Sequence, residues 1–190
     1  MNRIMTRIGA AALCLGIAGT AHAATNIIGG GDAENCYEAA KLPQPGAIAL
    51  APCNRALAEE SLTQRDRAAT LVNRGIIRMR LGQFDDAIKD YRAAIRLQSD
   101  LGDSYINLAL ALVHTRQEEA ALAALNRGLS LNPSNASVGY YTRGTVHELL
   151  GNVPAAFADY QRAAELAPDW AEPRAQLSRF RIISRPRMTA

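Results

Sequence analysis

Apolar positions recur along this chain with two periods laid over one another. The short period is helical. Leu71, Gly75, Arg78 and Gly82 stand three or four residues apart, and Ala87, Tyr91 and Ala94 form a second stripe after a break at Gly82-Gln83. Side chains at that spacing share one face of an α-helix, so each stretch predicts a helix and the break predicts the turn between two of them. The long period is 34 to 35 residues. Leu71, Tyr105 and Tyr140 stand at those two intervals, as do Gly75, Ala109 and Gly144, and Ala87, Ala121 and Ala156. Tyr91, Leu125 and Tyr160 follow the same intervals, with Ala94, Gly128 and Ala163, Leu97, Leu131 and Leu166, and Ser99, Pro133 and Pro168. Coincidence does not align seven columns. The extra residue of the second interval falls after Pro133, in a loop where lengthening costs little.

Each unit therefore reads as two antiparallel helices. Asp85 and Asp86 place acids in the first turn of the second helix, where the helix dipole favours them. In the third unit Pro154 takes the slot of Asp85, and a first-turn proline loses no hydrogen bond. Small residues at the crossing (Gly75 with Ala87, Ala109 with Ala121, Gly144 with Ala156) are expected to bring the two helices close.

The spacing of Gly/Ala, Gly, Ala, aromatic, Ala and Pro in 34-residue units resembles the tetratricopeptide repeat (TPR) family over units 68–101, 102–135 and 137–170. Departures are local. Arg116 replaces the turn glycine of unit two, Ser99 the proline of unit one, and Arg78, Leu112 and His147 the aromatic of the first helix. The resemblance implies an all-α, right-handed superhelical solenoid of antiparallel helix pairs, with a concave groove that holds a peptide or helix of another protein. By slot matching, that groove is lined by Val72, Ile76, Met79 and Arg80, by Ile106, Asn107, Leu110, Val113 and His114, and by Tyr141 and Thr145. Some family members clamp a partner's terminal carboxylate with basic and Asn side chains. The matching slots here hold Val72, Ile76, Asn107, Val138 and Thr142, of which Asn107 alone fits, so an apolar groove is expected instead. The run Tyr105 to Val113 is apolar almost all the way round its helix, which points to an exposed apolar patch in the groove. Polar replacement of Ile76 and Leu110 is then expected to abolish binding at a cost below ~1 kcal/mol in stability.

Outside the units, segment 171–182 reads as a helix covering the last repeat, with Trp170, Leu177 and Phe180 as its contacts, and 183–190 as a basic tail. Shifting Ala49, Cys53, Ala56 and Leu57 by 38 lays them on Ala87, Tyr91, Ala94 and Ile95, so 35–67 reads as a decayed repeat broken at Pro43-Gln44-Pro45-Gly46. Segment 24–34, with Gly29-Gly30-Gly31, reads as a flexible tail.

Composition adds a compartment. Arg3 and Arg7, the short apolar run Ile8 to Thr20 and the small-x-small site Ala21-His22-Ala23 form a cleavable export signal over 1–23, which places the chain in the periplasm or outside the cell. Cys14 leaves with that segment, and Cys36 and Cys53 remain as a disulfide across 17 residues in an oxidising compartment. The 21 basic residues comprise 19 Arg with Lys41 and Lys89, a codon-usage signature, and the net charge of +3 falls to +1 without residues 1–23. That balance argues against nucleic-acid binding.

The residues present no cofactor or metal site and no catalytic group. His147-Glu148 lacks the second histidine of a zinc protease motif, since Gly151 stands there, and His114 and His147 occupy different slots of the repeat. Two charged sets stand out. Arg74 with Asp90 recurs as Arg143 with Asp159, while unit two holds Leu108 and Ala124 in both slots, which marks structural ion pairs between the helices of a unit. Arg174, Arg179, Arg181, Arg185 and Arg187 read as a solvated face, with membrane-surface contact the less favoured alternative. The expected function is an exported, non-enzymatic scaffold for another protein. The alternatives are an accessory or regulatory subunit of an envelope enzyme and a self-associating homo-oligomer.

Overall fold

The computed structural model describes residues 3–6 and 31–183, in two compact bodies that are taken separately: 31–135, and 136–183 together with 3–6. Nine α-helices run through the described residues, so the fold is all-α, with one pair of four-residue strands beside them.

The first body contains α1 (Asp32–Lys41), α2 (Leu50–Glu59), α3 (Gln64–Arg80), α4 (Phe84–Leu97), α5 (Gly102–His114) and α6 (Glu118–Ser130). Helices α3 and α4 form the first repeat and α5 and α6 the second, each pair packed along its length. The antiparallel sense shows in the side-chain contacts, since Arg74 meets Asp90 while Arg78, one turn later, reaches back to the Asp86 carbonyl. Thr63 caps α3, its hydroxyl accepting from the Asp66 amide, so this helix starts four residues ahead of the repeat boundary.

The turns between paired helices share one hydrogen-bond pattern. Gln83 N donates to Arg78 O, Gln117 N to Leu112 O and Asn152 N to His147 O, each around a residue in the left-handed region. That residue is Gly82 (φ 73°), Arg116 (φ 59°) and Gly151 (φ 75°). Arg116 holds the glycine conformation in spite of its Cβ, at a cost of roughly 1–2 kcal/mol that packing of the second repeat must offset.

The crossing of the helices differs in detail from the expected Gly–Ala pairing. A Cβ on Gly75 would lie 2.5 Å from Tyr91 Cε1, and one on Gly144 would lie 2.9 Å from Tyr160 Cε1 and 3.2 Å from the Ala156 carbonyl. The space left by each glycine is thus filled chiefly by the tyrosine ring of the facing helix. In the second repeat, where Leu125 replaces the tyrosine, Gly102 and Gly128 face one another. A Cβ on Gly102 would stand 2.7 Å from the Gly128 carbonyl oxygen.

Ahead of the repeats, α1 and α2 pack on each other and on α3. Helix α1 begins at Asp32, so residues 32–34 form its first turn and are not part of a flexible tail. Asp32 and Glu34 supply acids there, the Asp32 amide donates to Glu60 Oε1 (2.6 Å) and Arg55 holds the Asp32 carboxylate (2.5 Å). Residues 24–30 lie outside the described residues.

The second body contains α7 (Ala136–Leu149) and α8 (Val153–Leu166) as the third helix pair, then α9 (Ala171–Leu177). The covering helix expected over 171–182 stops at Leu177. Residues Phe180–Ile183 form β2, which pairs antiparallel with β1 (Arg3–Thr6), Arg3 opposite Ile183 and Thr6 opposite Phe180. The run Phe180-Arg181-Ile182-Ile183 is aromatic and β-branched, a composition that suits an extended strand better than a helix end. The rest of the expected signal segment and the tail from 184 lie outside the described residues.

The slot that Tyr91 and Tyr160 share in the first and third repeats has unequal polar surroundings. Tyr160 Oη stands 3.1 Å from Glu148 Oε2 and 3.2 Å from Thr145 Oγ1, whereas the matching slots beside Tyr91 hold Met79 and Ile76, and the fully buried Tyr91 hydroxyl has no hydrogen-bond partner among the described residues. A buried unpaired hydroxyl costs more than the methylene-like edge that replaces it. Tyr91→Phe is therefore expected to raise unfolding stability by about 1 kcal/mol and Tyr160→Phe to lower it by a similar amount, opposite signs at equivalent positions that urea unfolding resolves.

Candidate functional site

The residues expected to line the groove lie on α3 and α5 in the first body and on α7 in the second. On α3, Val72, Ile76 and Met79 are buried; on α5, Ile106, Asn107, Leu110 and Val113 are buried; on α7, Thr145 is buried. Arg80, His114 and Tyr141 are half-buried. The open apolar patch expected on α5 is thus absent from the chain as described: Ile106 is 2% exposed and Leu110 4%. A helix that is apolar on every side is covered on every side, and α5 packs on α4, α6 and α3. Polar replacement of Ile76 or Leu110 becomes a core substitution costing several kcal/mol, and the expectation of a mild effect on stability is corrected accordingly.

The three half-buried members each have a defined setting. Arg80 donates from Nη1 to the Leu42 carbonyl (2.6 Å) and to that of Ala40, so it caps the C-terminus of α1, and burial draws its pKa below the usual range. His114 stacks on Phe84 with ring centroids 4.4 Å apart, and burial lowers its pKa from the ordinary 6.5, which favours the neutral imidazole. Tyr141 lies against Trp170 (4.8 Å between centroids) and Tyr160 (5.5 Å), and its hydroxyl accepts from Gln176 Nε2 at 3.4 Å. Asn107 is buried, and its Nδ2 has no hydrogen-bond partner among the described residues.

The charged pairs sit between the helices of their repeats. Arg74 meets Asp90 through two parallel bonds, Nε to Oδ2 at 2.9 Å and Nη2 to Oδ1 at 2.7 Å; Arg143 meets Asp159 in the same way at 2.8 Å in both. Each carboxylate is almost fully buried, Asp90 3% and Asp159 6% exposed. A third group belongs to each set. Arg78 donates from Nη1 to Asp90 Oδ2 at 2.7 Å, and His147, in the same slot of the third repeat, stands 3.8 Å from Asp159 Oδ2. Burial lowers the His147 pKa, with Asp159 opposing that shift and Arg143 adding to it. These groups face one another inside the helix pairs of their repeats.

Cys36 and Cys53 are joined, with 4.7 Å between their Cα atoms, and both are fully buried between α1 and α2. Arg179, expected to be solvated, instead pairs with Glu148 (2.6 Å), a partner on the preceding repeat that its sequence neighbourhood does not reveal. Arg174 is exposed, and Arg185 and Arg187 lie outside the described residues.

Comparison with known proteins agrees with this architecture. Residues 66–134 match the Tetratricopeptide repeat family model. A TPR repeat-containing protein of Methanocaldococcus jannaschii is 31% identical over 84 residues, which is 44% of this chain and 15% of that protein. The crystal structure of MamA superposes with a TM-score of 0.60 at 22% identity, covering 68% of this chain and 72% of that one. The first TPR of Spaghetti (RPAP3) bound to HSP90 peptide SRMEEVD gives a TM-score of 0.57 at 24% identity, covering 60% and 90%. This chain thus spans a small part of its curated relative and most of each repeat domain.

Proposed function

Because the chain is a tetratricopeptide-repeat protein, we propose that it is an exported, non-enzymatic scaffold that binds a segment of another polypeptide along the first helices of its repeats. One observation carries the reading: chemistry-bearing side chains are spent on holding helix pairs together, while a repeat fold of this kind in Spaghetti (RPAP3) holds an HSP90 peptide. The partner differs from that acidic peptide. Of the slots that would meet a terminal carboxylate, Val72, Ile76, Asn107, Val138 and Thr142, Asn107 alone suits one, and Arg80 is already engaged by the end of α1, which argues against a carboxylate clamp. His114 and Tyr141 are the contact points at the surface of their helices, and a partner that reaches Ile76 or Leu110 displaces what covers them. Export is supported by Arg3 and Arg7, the short apolar run and Ala21-His22-Ala23; an intact mass starting at Ala24 checks it, and a mass that includes Met1 to Ala23 contradicts it.

Immobilised chain exposed to an envelope extract is expected to retain a discrete polypeptide identified by mass spectrometry. Retention should fall at least tenfold with His114→Ala and Tyr141→Ala combined, the unfolding midpoint shifting by only a few degrees. Equal retention by the double variant would place the binding surface elsewhere, and recovery of no polypeptide would argue against a scaffold.

A further inference from the structure

The hairpin of α1 and α2 is held to the first repeat in a manner unlike anything else in its body. Its buried apolar side chains are small: Ala33, Cys36 and Ala40 from α1, Cys53 and Ala56 from α2, with Tyr37 partly buried beside them. Helix α5 alone buries Ile106, Leu108, Leu110, Leu112 and Val113. Hydrophobic stabilisation follows the apolar area removed from water, so the hairpin gains little from its contact. Each of its helices has ten residues, a length at which isolated helices are marginal in water, and neither N-cap residue, Gly31 or Ala49, supplies a side-chain bond. The connection between them exposes Leu42 and Ile48 and buries only the small Pro45 and Ala49.

What ties the hairpin down is polar. Three arginines of α3 reach it: Arg67 donates to the Leu57 carbonyl (3.0 Å), Arg74 Nη1 to Asn54 Oδ1 (2.9 Å) and Arg80 to the Leu42 carbonyl (2.6 Å). Water can replace each of these bonds once the hairpin lifts. The covalent link is different in kind, because joining Cys36 to Cys53, 17 residues apart, lowers the entropy of the open state and so favours the closed hairpin.

We propose that the α1–α2 hairpin is a redox-conditional cap on the first repeat: with Cys36 and Cys53 joined it covers one face of α3, and with both reduced it detaches and leaves that face open. The covered face can be traced. Ala69 packs with Ala33 and Ala56, Cys36 Sγ lies 3.8 Å from the Thr70 carbonyl, and Arg80 reaches the end of α1. The line through Thr70, Asn73, Ile77 and Arg80 therefore runs under the hairpin, and the first three of these are fully buried there. Closure oxidises two thiols; two electrons and two protons pass to a disulfide oxidant, which leaves as two thiols. Both sulfurs are inaccessible in the closed state, so a reductant meets them only after the hairpin opens, and the state is set as the chain folds.

The two lysines provide the test. Lys41 ends α1 and Lys89 lies inside α4, so a lysine-specific endoprotease reports on the cap and on the repeat in one digest. The full chain is refolded with oxidised glutathione or with excess reductant, and a Cys36→Ser/Cys53→Ser variant is digested beside it without reductant. Cleavage after Lys41 is expected to be at least tenfold faster in the reduced chain and in the variant, with Lys89 cut at the same slow rate in all three. Equal Lys41 rates in the oxidised and reduced chains would overturn the proposal. So would a parallel acceleration at Lys89, which would make the hairpin part of the repeat's own cooperative unit.

Discussion

Asp90→Ala is expected to lower unfolding stability by about 3–5 kcal/mol, the range for breaking a buried ion pair by removal of one partner. Asp90 is the single carboxylate shared by Arg74 and Arg78, and its loss leaves two guanidinium groups facing each other across a low-dielectric space. Their side chains are 18% and 19% exposed, which lets water recover part of the loss and favours the lower half of the range. A double-mutant cycle between Arg74 and Asp90 should give a coupling of about 0.5–3 kcal/mol. The second repeat supplies the control. Leu108, Leu112 and Ala124 occupy the slots of Arg74, Arg78 and Asp90, so the same helix pair closes there without any charge. Arg74→Leu/Arg78→Leu/Asp90→Ala is therefore expected to regain most of what Asp90→Ala loses, since replacing a whole buried set by apolar groups is often neutral. A single-variant loss below about 1 kcal/mol, the level of an exposed pair, would show that the set is solvated.

Gly128→Val is the second large effect, at about 3 kcal/mol, the upper part of the range for overpacking a closed core. Glycine inside a helix is ordinarily worse than alanine by roughly 0.5–1 kcal/mol, so Gly128→Ala would stabilise if space allowed. Space does not allow it. A Cβ at Gly128 would stand 2.9 Å from the Gly102 carbonyl oxygen and 3.0 Å from Tyr105 Cβ, and the opposing oxygen is backbone that cannot rotate away. Both substitutions are expected to destabilise, valine more than alanine, whereas Gly82→Ala should act only through its left-handed φ, since nothing lies near that Cβ. Thermal unfolding of the three variants decides the order.

These contacts also show which features the sequence makes legible. Repeat columns and helix pairing can be read directly because a 34-residue period constrains every unit at once. The partners Arg74 with Asp90 and Arg143 with Asp159 are readable because both members vanish together in unit two. The same comparison contained the third member, since Arg78 and His147 are cationic or titratable where unit two has Leu112, yet their slot resembled that of a lost aromatic and hid the signal. Gly75 meets Tyr91 first because the ring is long enough to lie across the crossing, which no spacing rule expresses. The groove was the least legible part. Slot matching places Val72, Ile76 and Leu110 on the first helices, but whether a side chain there meets water depends on what else the chain lays over it. Arg179 and the early end of α9 at Leu177 belong to the same class, as both depend on contacts made at a distance in sequence.

Site-specific photo-crosslinking bears most directly on the scaffold reading. A benzophenone side chain is placed singly at His114, at Tyr141 and at Lys89, the last on an exposed position of α4. A polypeptide adduct is expected from the position at His114 and from that at Tyr141, and none from Lys89. Adducts confined to Lys89, or an absence of any polypeptide adduct at the two first-helix positions, would contradict it.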